Sequence, residues 1–209
     1  MTTVVPETAP EPPAPDAPDR PGAVILARHG RPALSRKIRL NAEQYRQWWA
    51  TYEVGGIAPD QVPPAALRAI SDRAGFVIAS SRLRSVETAR TLTHGRDFAQ
   101  DPIFVEAPLP PPSLPGWIRL SPIVWGFLAR SRWWFFNRHD GGESRVEAQT
   151  RADEAARQLA ALAAGGHDVL VVAHGFFNLM IGRALKRQGW RCIENQGHRY
   201  WSARRFERE

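Results

Sequence analysis

The chain has 209 residues, 43% of them apolar, and sets 28 basic against 21 acidic side chains. This length supports one good-sized core without requiring a second domain. A single cysteine, Cys192, excludes an internal disulfide and a thiolate metal cluster and reads as a buried or incidental thiol, and no 18 consecutive residues are free of charge, which excludes a membrane-spanning helix.

Residues 1–21 hold seven of the 18 prolines and show no apolar periodicity. They cannot bury enough surface to offset chain entropy and read as a disordered tail. They lack the basic start and continuous apolar stretch of a secretory signal, so the expected location is the cytoplasm. The tail carries four acidic side chains (Glu7, Glu11, Asp16, Asp19) and one basic, Arg20, which leaves residues 22–209 with a net charge of about +10. Such a surface favours anionic partners: phosphorylated metabolites, phosphoproteins, nucleic acid or an anionic membrane. The plainer alternative is that the charge serves solubility alone.

Val24 to Ala27 is a short apolar run entering Arg28-His29-Gly30. Asn41 is placed to cap a helix through AEQYRQWWATY, and Pro63-Pro64 to open one through AALRAISDRA. FVIASS, Phe76 to Ser81, repeats the form of the first run, and a short helix is expected from Ser85 to Thr93. A long helix follows from Ser144 and stops at Gly165-Gly166; DVLVVAHG, Asp168 to Gly175, is a third strand, with a helix directly after it. Short, β-rich runs without alternation mark strands covered on both faces. Alternating with helices, they predict an α/β fold: a three-layer α/β/α sandwich around a mostly parallel sheet.

Ligands of such sheets bind at the carboxyl ends of the strands. Here three strand ends deliver Arg28-His29-Gly30, Ser80-Ser81 leading to Arg82 and Arg84, and His174-Gly175. A guanidinium is a planar fork of donors matched to phosphate oxygens, and two can neutralise a dianion. One neutral imidazole can attack phosphorus while a second, protonated, stabilises the charge spreading over the transferring group. This chemistry needs no metal or other cofactor, and the sequence shows no carboxylate cluster that would hold a metal.

On these residues the sequence resembles the histidine phosphatase superfamily, with its phosphoglycerate mutase-like fold. LARHG resembles the family's nucleophile motif, which implies that His29 becomes phosphohistidine and that Arg28 clamps phosphate. SSRLRSVETA, Ser80 to Ala89, resembles the Ser-x-x-x-Arg-Ala-x-x-Thr-Ala signature, with Ser85 in the place of the usual alanine and Arg84 as the second clamp. VVAHG resembles the second-histidine motif, which implies that His174 binds the phosphoryl group and stabilises its charge. GGES, Gly141 to Ser144, matches a further element that lines the pocket or fixes a loop. The family also uses a carboxylic acid beyond the clamp arginine, and Glu106, 22 residues after Arg84 and behind an expected short strand, takes that place as general acid. The chain departs from the family pattern just after it, with PLPPPSLPGW.

Each residue also has a plainer reading. In that reading His29 and His174 are satisfied histidines at strand ends, Glu106 is a surface carboxylate and Glu143 a helix N-terminal acid. Arg82 is the alternative to Arg84. His94, His139, His167 and His198 have no motif around them and read as surface or loop residues. Leu114 to Phe136 packs four tryptophans and three phenylalanines among Arg119, Arg130 and Arg132 at near-helical spacing. The first reading is a helical insertion over the active-site edge; the others are a face for a membrane surface or partner, and a core helix.

Together these readings predict a metal-independent phosphomonoester hydrolase, with a phosphorylated small molecule or phosphoprotein as substrate and no nucleic acid partner. A weak contact with an anionic membrane through the tryptophan-rich segment accompanies it. The rivals are a mutase and a binding module that kept the pocket without turnover.

Overall fold

A computed structural model describes residues 20–107 and 111–209. The sequence-predicted tail lies outside the described residues, except for Arg20 and Pro21.

Six strands form one sheet: β1 (Val24–Arg28), β2 (Phe76–Ser80), β3 (Ala99–Asp101), β4 (Val169–Ala173), β5 (Arg191–Asn195) and β6 (Ala203–Glu207), in the order β3-β2-β4-β1-β6-β5. β3, β2, β4 and β1 run parallel; β6 is antiparallel to both β1 and β5. The sheet is therefore mostly parallel, with one reversed strand near its edge.

The apolar runs are strands because both of their faces are covered. Val24 and Leu26 of β1, with Val169 and Val171 of β4, pack in one cluster with α5 (Arg145–Ala163) and α6 (Gly175–Arg187). Ile25 and Ala27, with Leu170 and Val172, pack in a second cluster with α2 (Ala65–Arg73) and α3 (Leu83–Thr93). Successive side chains point to opposite faces, so a strand between two helical layers has no polar positions to alternate. These are the three expected layers.

A third, aromatic cluster stands apart from the sheet: Tyr45, Trp48 and Tyr52 of α1 (Ala42–Val54) against Trp125 of α4 (Pro122–Phe136). Asn41 caps α1 in a capping box with Gln44, and Ser121 caps α4, with Pro122 at its start. Among the described residues, no helix is long and apolar enough to cross a membrane.

The short strand expected ahead of Glu106 is β3, and a single 3-10 turn, Pro102–Phe104, lies between the two. Pro102 cannot donate to a ladder, and Asp101 caps the turn by accepting from the Ile103 amide.

Candidate active site

The carboxyl ends of β1, β2 and β4 open into a cavity of about 300 Å³ lined by Arg28, His29, Arg84, Glu106 and His174. The five sequence-predicted site residues thus share one cavity. Arg82 does not line it; its guanidinium pairs at the surface with Glu53.

His29 is held by main-chain bonds. Its amide donates to the Ala173 carbonyl of β4 at 3.0 Å, and the Gly30 amide donates to Thr88 Oγ1 at 2.9 Å. Gly30 must be glycine, because a Cβ there would lie 2.6 Å from the Trp201 ring. Nδ1 of His29 lies 2.7 Å from the Gly30 carbonyl. A carbonyl can only accept, so Nδ1 carries the proton and Nε2 keeps its lone pair for the cavity. Burial, and then the nearby Arg84 and Arg28, hold the imidazole well below its ordinary pKa. The ring is therefore neutral and nucleophilic at neutral pH.

His174, the residue before α6, lies with its ring centroid 5.2 Å from that of His29. Its Nε2 is 2.9 Å from Ser80 Oγ at the end of β2, while its buried Nδ1 has no partner. Burial, then Arg84 and His29, also hold this imidazole well below its ordinary pKa.

Arg84 is 1% exposed. It donates to the Tyr52 and Glu53 carbonyls and to Glu53 Oε1 at 3.0–3.2 Å, which ties the end of α1 to α3, and its buried Nε is unpartnered. Arg28 reaches the His198 carbonyl through Nη1, stacks 4.3 Å from the Tyr200 ring centroid, and also keeps an unpartnered buried Nε. An unsatisfied buried donor costs about 1–3 kcal/mol, so these groups leave a need that an anion would meet.

Glu106 Oε1 accepts from the Phe177 amide at 2.9 Å and Oε2 from the Phe176 amide at 3.2 Å, both in the first turn of α6. Glu143 of GGES does not reach the cavity. It pairs with Arg151 at 2.6 Å, and Arg151 donates to the Ile103 and Val105 carbonyls, which fixes the segment leading to Glu106.

The tryptophan-rich segment supplies one wall: Pro122, Ile123, Gly126 and Arg130 of α4 line the cavity opposite Tyr45, Trp48, Trp49 and Tyr52 of α1. Arg130 stacks 3.7 Å from the Phe176 ring centroid and lies 4.0 Å from Glu106. Its Nη1 and the Tyr45 hydroxyl are both buried without partners. Sequence reasoning missed the cavity residues Arg36, Tyr45, Tyr52 and Arg130, and read His198 as an ordinary loop residue although it lines the cavity. Arg36 donates to the Tyr52 hydroxyl at 2.7 Å.

Two imidazoles, two arginine forks and a carboxyl group on one cavity are the groups that phosphoryl transfer uses, and the family of the chain agrees with that chemistry. The histidine phosphatase superfamily (branch 1) matches residues 24–208, and the chain belongs to it. No curated protein matches the chain. Among solved structures, a phosphoserine phosphatase mutant from Entamoeba histolytica in complex with phosphoserine is 13% identical, with 79% of this chain and 80% of that chain covered and a TM-score of 0.52. Mycobacterial glucosyl-3-phosphoglycerate phosphatase in complex with VO3 is 18% identical, with 79% and 82% covered and a TM-score of 0.51. These structures share the fold, and membership of the superfamily supports a phosphatase-type enzyme.

Proposed function

We propose that the chain is a phosphomonoester hydrolase that works through a phosphohistidine on His29. The observation that carries this reading is three buried nitrogens around a neutral His29 that have no partner among the described residues: Nε of Arg28, Nε of Arg84 and Nδ1 of His174, the last a donor when Nε2 accepts from Ser80. A phosphoryl group brings the oxygens that these donors lack.

In the first step Nε2 of His29 attacks phosphorus, the bond from phosphorus to the ester oxygen breaks, and Glu106, which enters the cycle as the carboxylic acid, gives its proton to the departing oxygen. Arg28, Arg84 and His174 hold the equatorial oxygens throughout. In the second step water attacks phosphorus, gives a proton to the Glu106 carboxylate, and the phosphorus–nitrogen bond breaks to free His29 and inorganic phosphate. The cycle balances in protons and returns Glu106 to its starting form. The substrate is a phosphorylated small molecule or a phosphoprotein; the phosphatases that share this fold are named for small molecules, phosphoserine and glucosyl-3-phosphoglycerate.

Rapid quenching after brief exposure to a phosphorus-labelled monoester tests the reading. The expected result is an acid-labile phosphoprotein that His29→Ala cannot form, with turnover lower by about 10⁴-fold or more. Full turnover by His29→Ala would sink the proposal. Transfer from the phosphoenzyme to a second substrate molecule in preference to water would assign a mutase instead, and pocket occupancy without any turnover would assign a binding module.

A further inference from the structure

α4 is apolar except at Arg130, Ser131 and Arg132, and the described residues cover only half of it. Trp125, Ala129 and Trp133 face inward and are fully buried. At about 100° per residue, Ile123, Val124, Phe127, Leu128 and Phe135 occupy one opposite arc of about 140° in which Ser131 is the single polar position. Phe127 is 70% exposed and Phe135 74%; Trp117, in the loop before the helix, is 82% exposed. Single exposed apolar residues are ordinary, but a contiguous run of this kind marks an interaction surface.

The charges within residues 107–139 have one sign. Residues 107–139 contain Arg119, Arg130, Arg132 and Arg138 and no aspartate or glutamate. Arg119 precedes the helix and Arg138 follows it, both exposed, while Arg132 borders the arc and pairs at 3.0 Å with Asp140. Tryptophan and phenylalanine rimmed by arginine, on a helix too short and too interrupted to span, is the composition that seats a helix in the boundary between headgroups and acyl chains. The excess of basic over acidic residues in the chain adds the same attraction.

We propose that this exposed face of α4 docks the protein on an anionic lipid surface. Ile123 belongs both to the arc and to the lining of the active-site cavity, with Gly126 and Arg130 beside it. Docking therefore sets one lip of the cavity against the lipid headgroups.

Co-flotation of the full-length chain with phosphatidylglycerol vesicles tests this, in the His29→Ala background so that the result does not depend on turnover. The expected result is flotation at low salt, loss on neutral phosphatidylcholine vesicles, and a bound fraction lower by about tenfold or more in Phe127→Ser/Phe135→Ser. Both side chains lie outside the cavity, and an unchanged thermal midpoint verifies that the double variant is folded. No flotation of the parent chain, or equal flotation of the folded double variant, overturns the proposal. So does a concentration-dependent dimer without lipid that the double variant abolishes, because a second copy is then the occupant. Failure here leaves the phosphohistidine reading intact, since the phosphoprotein trap is read without vesicles.

Discussion

The cavity has two halves built by different means. Its floor is made at strand ends, where main-chain hydrogen bonds fix each side chain: the His29 amide to β4, the Gly30 amide to Thr88, and the Asn178 side chain to the Ala27 carbonyl at 2.9 Å. Its wall is made by α1 and α4, which meet through stacked rings such as Tyr45 and Trp125, 5.6 Å apart, with the Trp125 indole donating to the Leu40 carbonyl as a polar anchor. A hydrogen-bonded sheet edge leaves no freedom in where its residues point, whereas a packed aromatic layer re-forms around different side chains at modest cost. Under the proposed function, the floor is the part that fixes the reaction, and the wall the part that selects what is attached to the phosphate.

The sharpest way to break that division is Arg84→Lys. Lysine keeps the charge but has no fork, so it cannot hold the Tyr52 and Glu53 carbonyls, Glu53 Oε1 and a phosphoryl oxygen in one plane. We expect kcat/KM to fall by about 10²- to 10³-fold for every phosphomonoester, whatever its leaving group. A loss confined to some substrates would show that Arg84 acts through the wall, by holding the end of α1, and the division would fail.

Glu106 sits where floor and wall meet, on the α6 amides and beside Arg130. Glu106→Gln keeps the shape and removes the proton. We expect about a 10²-fold loss on alkyl phosphates, whose leaving oxygen needs protonation, and a much smaller loss of phosphoenzyme formation from a nitrophenyl phosphate, whose leaving oxygen does not. Equal losses on both substrates would remove Glu106 from the acid role and leave it as a support for α6.

The same division governs what the sequence disclosed. β1, β2 and β4 were legible because burial on both faces leaves an uninterrupted apolar run, and their ends carried motifs at fixed spacing. β5 and β6 were not: Arg191–Asn195 is mostly exposed at the sheet edge, and Ala203–Glu207 interleaves Arg204 and Arg205 with Ala203 and Phe206, so neither forms such a run. β3 is three residues long and mostly exposed. On the floor, His29, Arg84 and His174 sit next to the strands that position them, so local sequence was enough to bring them together. Arg36, Tyr52 and Arg130 reach the cavity from α1, α4 and the loop after β1 through tertiary packing alone, which no local pattern encodes. Glu106 was found by its distance from Arg84, but the 3-10 turn that carries it was not, because a single turn of three residues has no periodicity to read.

The floor also sets a pH dependence of stability. Burial lowers the pKa of both His29 and His174 well below 6.5, the value each regains on unfolding. Above pH 6.5 both states hold neutral rings and the two histidines make no difference. As pH falls below 6.5 the unfolded chain takes up protons that the folded chain refuses, so stability is lost from 6.5 down towards the depressed folded values. Well below 6.5 each ring costs about 1 kcal/mol per pH unit. Denaturant midpoints at pH 7.5, 6.5 and 5.5 should therefore fall more steeply for the wild type than for His29→Gln/His174→Asn, which has no imidazole to protonate. Saturating vanadate should flatten the wild-type curve, because an oxyanion bound at His174 Nδ1 favours the protonated ring. Parallel curves for wild type and double variant would mean that water reaches the floor and that both rings titrate normally there. The buried, unpartnered donors on which phosphate recognition rests would then not be buried either.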